Sequence, residues 1–232
     1  MATLEMDLRA SLAHQLAALR GIRPDELPAS LLDVVVRPVK LPGGELYIVR
    51  PADWDALRDD EGAAARPVPY WARLWPSGEA LAHKVAASPP RPAARVLELG
   101  CGLGLPSVVA ARAGANVLAT DASSDAVAFA AHCLSLNGVE ATVARVDWQD
   151  DGDYLAEQGP FELVLAADVL YTNANVESAL RLMPRLLEPN GELWLTDPDR
   201  AGGRRFLQAA RRSFYLQTRD RGEVRLHTLR PR

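Results

Sequence analysis

The segment Val96-Leu97-Glu98-Leu99-Gly100-Cys101-Gly102-Leu103-Gly104 constrains this chain more than any other. An apolar run carrying an acid, Glu98, enters a turn with glycine at every second position. That order suits the first strand-to-helix junction of a doubly wound α/β domain, where a nucleoside cofactor lies across the carboxyl end of the sheet. Gly100 and Gly102 fit backbone angles that a Cβ disfavours and let the main chain lie flat against a ligand. Gly104 lets the following helix pack closely, and Pro106 suits its first turn, where a missing N–H costs nothing. A second apolar run, 115–120, ends at Asp121, 21 residues after the first glycine. An acid about 20 residues on accepts from ribose hydroxyls in nucleotide-binding folds. A dinucleotide-binding turn needs its third glycine at 105, where this chain has Leu105. A merely flexible loop, with Asp121 as a simple helix cap, would not require acid, glycines, strand and second acid in this order.

At 232 residues the chain holds one sizeable domain with a short extension. We expect an N-terminal extension over 1–93 and the cofactor-binding core over 94–232. No apolar run approaches the length of a membrane span, and Glu5 and Asp7 argue against a targeting peptide. Cys101 and Cys133, the only cysteines, have no metal-ligand company and read as reduced thiols of a cytoplasmic protein. No metal is expected. The net charge of −4 conceals a basic stretch of +8 over residues 200–232, leaving −12 for the rest. That stretch is either a face for an acidic protein surface or RNA, or a solvated helix and edge strands.

Leu4, Leu8, Leu12, Leu16 and Leu19 recur at helical spacing and predict an amphipathic first helix ending at Gly21 and Pro24. Residues 34–36 and 46–49 flank Leu41-Pro42-Gly43-Gly44 as a β-hairpin. Short helices are expected over 53–60 and 79–87. From residue 94 strands are expected at 95–99, 116–120, 142–146, 161–167 and 192–196, with helices near 106–113, 124–136, 176–187 and 203–212. Asn137-Gly138 and Asn190-Gly191 read as helix-to-strand turns. Residues 214–218 and 224–229 flank Asp220-Arg221-Gly222 as a terminal hairpin. Ser107, Ser123 and Ser124 suit helix starts.

The strand over 161–167 ends in Asp168-Val169-Leu170-Tyr171. In open α/β sheets that end is where a ligand binds, so Asp168 is a candidate for the acceptor site. Tyr171 is either a wall of that site or a core residue. Trp71 and Trp75 either pack the N-terminal segment or, for Trp75 in particular, touch the cofactor. Trp148 stacks on a base or is simply buried, and Asp147 is an exposed loop acid beside it.

The acid followed by Gly-x-Gly-x-Gly resembles the pattern of class I methyltransferases, which bind S-adenosylmethionine. Further segments resemble the seven-strand protein-lysine methyltransferases: Trp71-Ala72-Arg73-Leu74-Trp75-Pro76-Ser77-Gly78, Asp147-Trp148, and Asp168-x-x-Tyr171. Asp197-Pro198-Asp199-Arg200 is similar to the Asp-Pro-Gly-Arg of those acting on the electron transfer flavoprotein β-subunit, with Asp199 in the glycine position. The resemblance covers about residues 69–200. It implies a Rossmann-like, mostly parallel seven-stranded sheet with a C-terminal antiparallel hairpin and a small N-terminal helix and hairpin extension. It also implies S-adenosylmethionine held by Trp75, Glu98, Gly100, Gly102, Asp121, Asp147, Trp148 and Asp168, with Asp168 and Tyr171 at the reacting nitrogen. The expected acceptor is a lysine of a protein, with the electron transfer flavoprotein β-subunit as leading guess, rather than nucleic acid or membrane. A small-molecule or nucleic-acid methyltransferase, and a cofactor-binding module without turnover, remain alternatives.

Overall fold

The computed structural model describes residues 2–232. The chain opens with helix α1 (Ala2–Arg20), the short α2 (Ala29–Leu32) and a hairpin of β1 (Val34–Leu41) and β2 (Gly44–Pro51). Helices α3 (Trp54–Ala63) and α4 (Pro76–Ala87) follow. The alternating part runs β3 (Arg95–Leu99), α5 (Leu105–Arg112), β4 (Asn116–Asp121), α6 (Ser124–Leu136), β5 (Thr142–Arg145), α7 (Gly152–Gln158), β6 (Phe161–Ala167), α8 (Asn173–Leu186) and β7 (Leu187–Asp197). Helix α9 (Ala201–Ala210) and the hairpin of β8 (Phe214–Arg221) and β9 (Val224–Pro231) complete it.

The seven-stranded sheet has the order β5-β4-β3-β6-β7-β9-β8. Strands β3 to β7 are parallel, and β9 pairs antiparallel with both β7 and β8. The direction of winding reverses between β3 and β6, so the crevice of the fold opens beyond those two strands. Both are mostly apolar because helices cover both faces: Val96, Leu97 and Leu99 on β3, and Leu163 to Ala166 on β6, are buried. One face packs against α4, α5, α6, α1 and the β1–β2 hairpin, the other against α7, α8 and α9.

Leu12 and Leu16 of the expected leucine stripe are buried, whereas Leu19 is exposed. Leu4 lies outside the residues whose side chains are described. Helix α1 is tied to the sheet by Arg20, which bonds Asp125 on α6 (3.0 and 2.5 Å) and Glu61 on α3 (2.9 Å). Asp53 caps α3 by accepting from the amides of Asp55 and Ala56.

Two expectations need correction. Asn190-Gly191 lies inside β7 rather than between helix and strand. Leu187 already pairs with Phe161, and the register jumps to Glu192 opposite Leu163, so the intervening residues bulge out of a continuing strand. Helix α7 was not expected: Leu155 is its only buried residue, too little to register as a helical period. Among the described residues, no helix is long and apolar enough to cross a membrane.

Candidate active site

A cavity of about 400 Å³ opens at the carboxyl ends of β3, β4 and β6, roofed by residues 70–78. Its floor is the glycine turn. Gly100, Gly102 and Gly104 have φ of +64°, +53° and +75°, which residues with a Cβ rarely adopt. A Cβ on Gly100 would sit 2.9 Å from Val169 Cγ1, and one on Gly102 would sit 3.2 Å from the Trp71 carbonyl oxygen. Gly104 instead packs the turn against α6, its missing Cβ facing Ala130 at 3.1 Å.

Two acids border the turn. The Gly102 and Ser123 amides donate to the Asp121 carboxylate, one to each oxygen, both at 2.9 Å. Burial raises the Asp121 pKa, and these amide bonds act in the opposite direction. Glu98 is 2% exposed. One of its oxygens accepts from the Ser107 amide (2.9 Å) and from the Ser107 hydroxyl. Burial pushes its carboxyl up to about 8, against the Ser107 bonds and with the repulsion of Asp121. A cation entering beside Glu98 would restore the charge that burial suppresses.

Across the cavity stands Asp168, directly after β6, with φ of +55°. Its amide donates to the Thr196 carbonyl (2.8 Å), which fixes this left-handed turn. Arg200 grips its carboxylate through Nε (2.5 Å) and Nη2 (2.8 Å). The Arg200 amide in turn donates to Asp197 (2.7 Å), whose other oxygen is buried without a hydrogen bond among the described residues. Asp199 takes φ of +63°, so it adopts the glycine-like turn itself; aspartate is among the few residues that do so readily. The Tyr70 and Tyr171 rings, 6.0 Å apart and 50% and 56% exposed, flank the mouth. Trp75 adjoins Tyr70 at 6.3 Å, and its indole donates to the Tyr70 carbonyl (2.7 Å).

The structure thus brings Trp75, Glu98, Gly100, Gly102, Asp121, Trp148, Asp168 and Tyr171 to one cavity. Asp147 is not part of its lining: its carboxylate accepts from the Gln149 amide (3.0 Å) and closes the turn after β5. Arg200 and Tyr70 also line the cavity. Arg200 stands inside a segment singled out in the sequence and Tyr70 directly precedes one, but nothing local marks an arginine as the partner of an aspartate 32 residues earlier.

A nucleoside with an amino-acid tail and a positive centre suits this lining, which has an acid with amide-fixed oxygens, a buried acid lacking a counter-ion, and bare backbone between them. The fold is that of the class I methyltransferases, which bind S-adenosylmethionine. The chain belongs to the methyltransferase-domain family, whose model matches residues 42–225. It is 30% identical over 137 residues to the electron transfer flavoprotein β-subunit lysine methyltransferase of Danio rerio, covering 58% of this chain and 52% of the relative. It is 39% identical over 110 residues to a ubiquinone biosynthesis O-methyltransferase of Xanthomonas oryzae pv. oryzae, covering 46% and 44%. The chain spans about half the length of the curated relatives it matches. Among solved structures it is similar to a T. thermophilus 16S rRNA methyltransferase (TM-score 0.66, 18% identity, 90% of this chain and 53% of that one). It is also similar to a TehB-like methyltransferase of Corynebacterium glutamicum (0.56, 19%, 77% and 96%). At these identities the structural likeness speaks for the fold.

Proposed function

We propose that this protein methylates lysine side chains of a protein, with the electron transfer flavoprotein β-subunit as the first substrate to test. The observation that carries the reading is a carboxylate, Asp168, at the end of β6, between the glycine turn and two exposed tyrosine rings. The relatives that methylate lysine of that flavoprotein support the choice of acceptor.

S-adenosylmethionine would supply a sulfonium-bound methyl group: a nitrogen lone pair would attack that carbon in line, the N–C bond forming as the C–S bond breaks and S-adenosylhomocysteine leaves. In this reading Asp121 accepts from the ribose hydroxyls, Glu98 from the amino-acid tail, and Trp148 covers the base. Trp75 borders the cofactor from the roof. A free lysine has a pKa of about 10.4 and arrives protonated. Tyr70 and Tyr171 attract the ammonium by cation–π contact, worth about 0.5–2 kcal/mol. Asp168 accepts a hydrogen bond from it and aligns the nitrogen, while the enclosed cavity favours loss of the proton to water. Arg200 is the counter-ion of Asp168 in the free protein. The Asp168 carboxylate has lone pairs beyond the two that Arg200 uses, so the ammonium bonds it alongside Arg200.

Incubation with methyl-labelled S-adenosylmethionine and a cell lysate, followed by separation of protein, RNA and small molecules, tests the acceptor class. Label on protein lysine is expected. Label confined to RNA, or to small molecules, would transfer the assignment to those acceptors.

A further inference from the structure

A second cavity, of about 580 Å³, lies between α4 and the tip of the β8–β9 hairpin. Lys84, Arg219 and Arg221 line it together with His83, Glu79 and Glu223. Among the described residues, none of the three cations has a carboxylate within ion-pair distance. In the same basic stretch Arg200, Arg204, Arg205, Arg225 and Arg230 are paired with carboxylates, and Arg219 and Arg221 are the unpaired arginines that line this cavity. Lys84 lies over the Trp194 ring at 4.2 Å. Burial lowers its pKa, and the neighbouring Arg219, Arg221 and Arg230 add to that effect against Glu192. Arg219 and Arg221 are two apart on one strand, so they project from the same face with Cα atoms roughly 7 Å apart.

The position of the cavity ties it to the catalytic one. Arg225 on β9 pairs with Asp197 at the carboxyl end of β7, so the hairpin tip extends just past that end of the sheet. Helix α4 borders both cavities: Gly78 lines the first, Pro76 and Glu79 the second. The two cavities thus adjoin at the first turn of α4, within reach of one macromolecular partner.

We infer that the Lys84–Arg219–Arg221 cavity holds an acidic segment of the protein substrate, close in space to the lysine being methylated. This rests on the lysine reading above. Unpaired cations held together lose mutual repulsion when carboxylates enter, and a hydrogen bond to a charged partner is among the stronger ones. A polynucleotide fits less well. The lining offers no tryptophan, tyrosine or phenylalanine for a base to stack on, His83 being its one aromatic side chain, and Glu79 and Glu223 limit the positive charge to that suited to a few discrete carboxylates.

The test uses two labelled peptides, each with one lysine, one flanked by several Asp and Glu residues and the other by Asn and Gln. Fluorescence anisotropy with the full chain should show the acidic peptide bound about tenfold more tightly, an advantage lost on raising salt. The variant R219E/R221E, verified as folded by its melting temperature, should bind the two peptides equally. Equal binding by wild type would overturn the inference, as would a charge-reversed protein that keeps the preference. Preference for polyuridylate over the acidic peptide would also overturn it. Lysine methylation of the peptides is read separately by mass spectrometry. Acidic preference with no lysine methylated in the peptides, the flavoprotein or a cell lysate would refute the lysine reading while supporting the anion-binding cavity.

Discussion

Glu98 has its ordinary carboxyl value near 4.5 in the unfolded chain and about 8 in the fold, because burial removes the solvent that would stabilise its charge. Between these two values the folded protein holds a proton that the unfolded chain has lost. The contribution to stability is complete below about 4.5 and is lost as pH rises through 8. Thermal melts of Glu98→Gln should fall less steeply between pH 5 and 8 than those of wild type, and parallel profiles would contradict the buried acid described here. Calorimetry at fixed pH should also show weaker binding of S-adenosylmethionine by that variant. Asp121→Ala removes the acceptor proposed for the ribose and leaves the Gly102 and Ser123 amides without their partner. A lost hydrogen bond to a charged group costs about 1.5–3 kcal/mol, so cofactor affinity should drop roughly tenfold to hundredfold. Unchanged affinity would remove Asp121 from the cofactor site.

Helix α1 is held by its buried Leu12, Leu16 and Ala17 and by a group of ion pairs at its end. Arg20 is the shared partner of Asp125 and Glu61, and all three side chains are largely buried. Removing one member of such a group leaves charges buried and uncompensated, at a cost of about 3–5 kcal/mol. Arg20→Ala should lower the denaturation midpoint accordingly, and a change of a few tenths of a kcal/mol would show that α1 is held by its leucines alone. Nothing local in the sequence signals this pairing, since Arg20 and Asp125 are 105 residues apart. Strands β3 and β6 were legible because both faces are buried and each run is apolar apart from one acid, Glu98 or Glu162, and the leading Arg95. Helix α7 and the first residues of β7 were not: one buried leucine gives no period, and Asn190-Gly191 marks a bulge with the same residues that mark a turn. At the site, the glycine turn and the two acids following strands could be read from spacing, because the backbone itself dictates them. The Arg200–Asp168 pair could not, because it depends on how far the β7–α9 turn reaches back across the sheet.

At the scale of the molecule, the reversal of winding between β3 and β6 brings both halves of the chemistry to one crevice. The glycine turn and Asp121 come from one side of that reversal, Asp168 and Arg200 from the other. The second cavity, with its unpaired cations, lies at the same end of the sheet. A protein substrate meeting this end presents charges to both. Encounter between opposite charges is screened beyond about 8–10 Å at physiological ionic strength, so the methylation rate of a folded protein should fall with added salt. A rate indifferent to salt would point to an acceptor without charge, such as a neutral small molecule.

The most direct measurement combines purified enzyme, labelled S-adenosylmethionine and recombinant electron transfer flavoprotein, followed by mass spectrometry of the β-subunit peptides. Wild type should add one to three methyl groups to lysine. Asp168→Asn, which keeps the shape of the side chain and removes its charge, should abolish most of this while retaining cofactor affinity and melting temperature. Label confined to arginine, or full activity in Asp168→Asn, would contradict the account at its centre. Label on lysines of a different protein would reject only the named substrate.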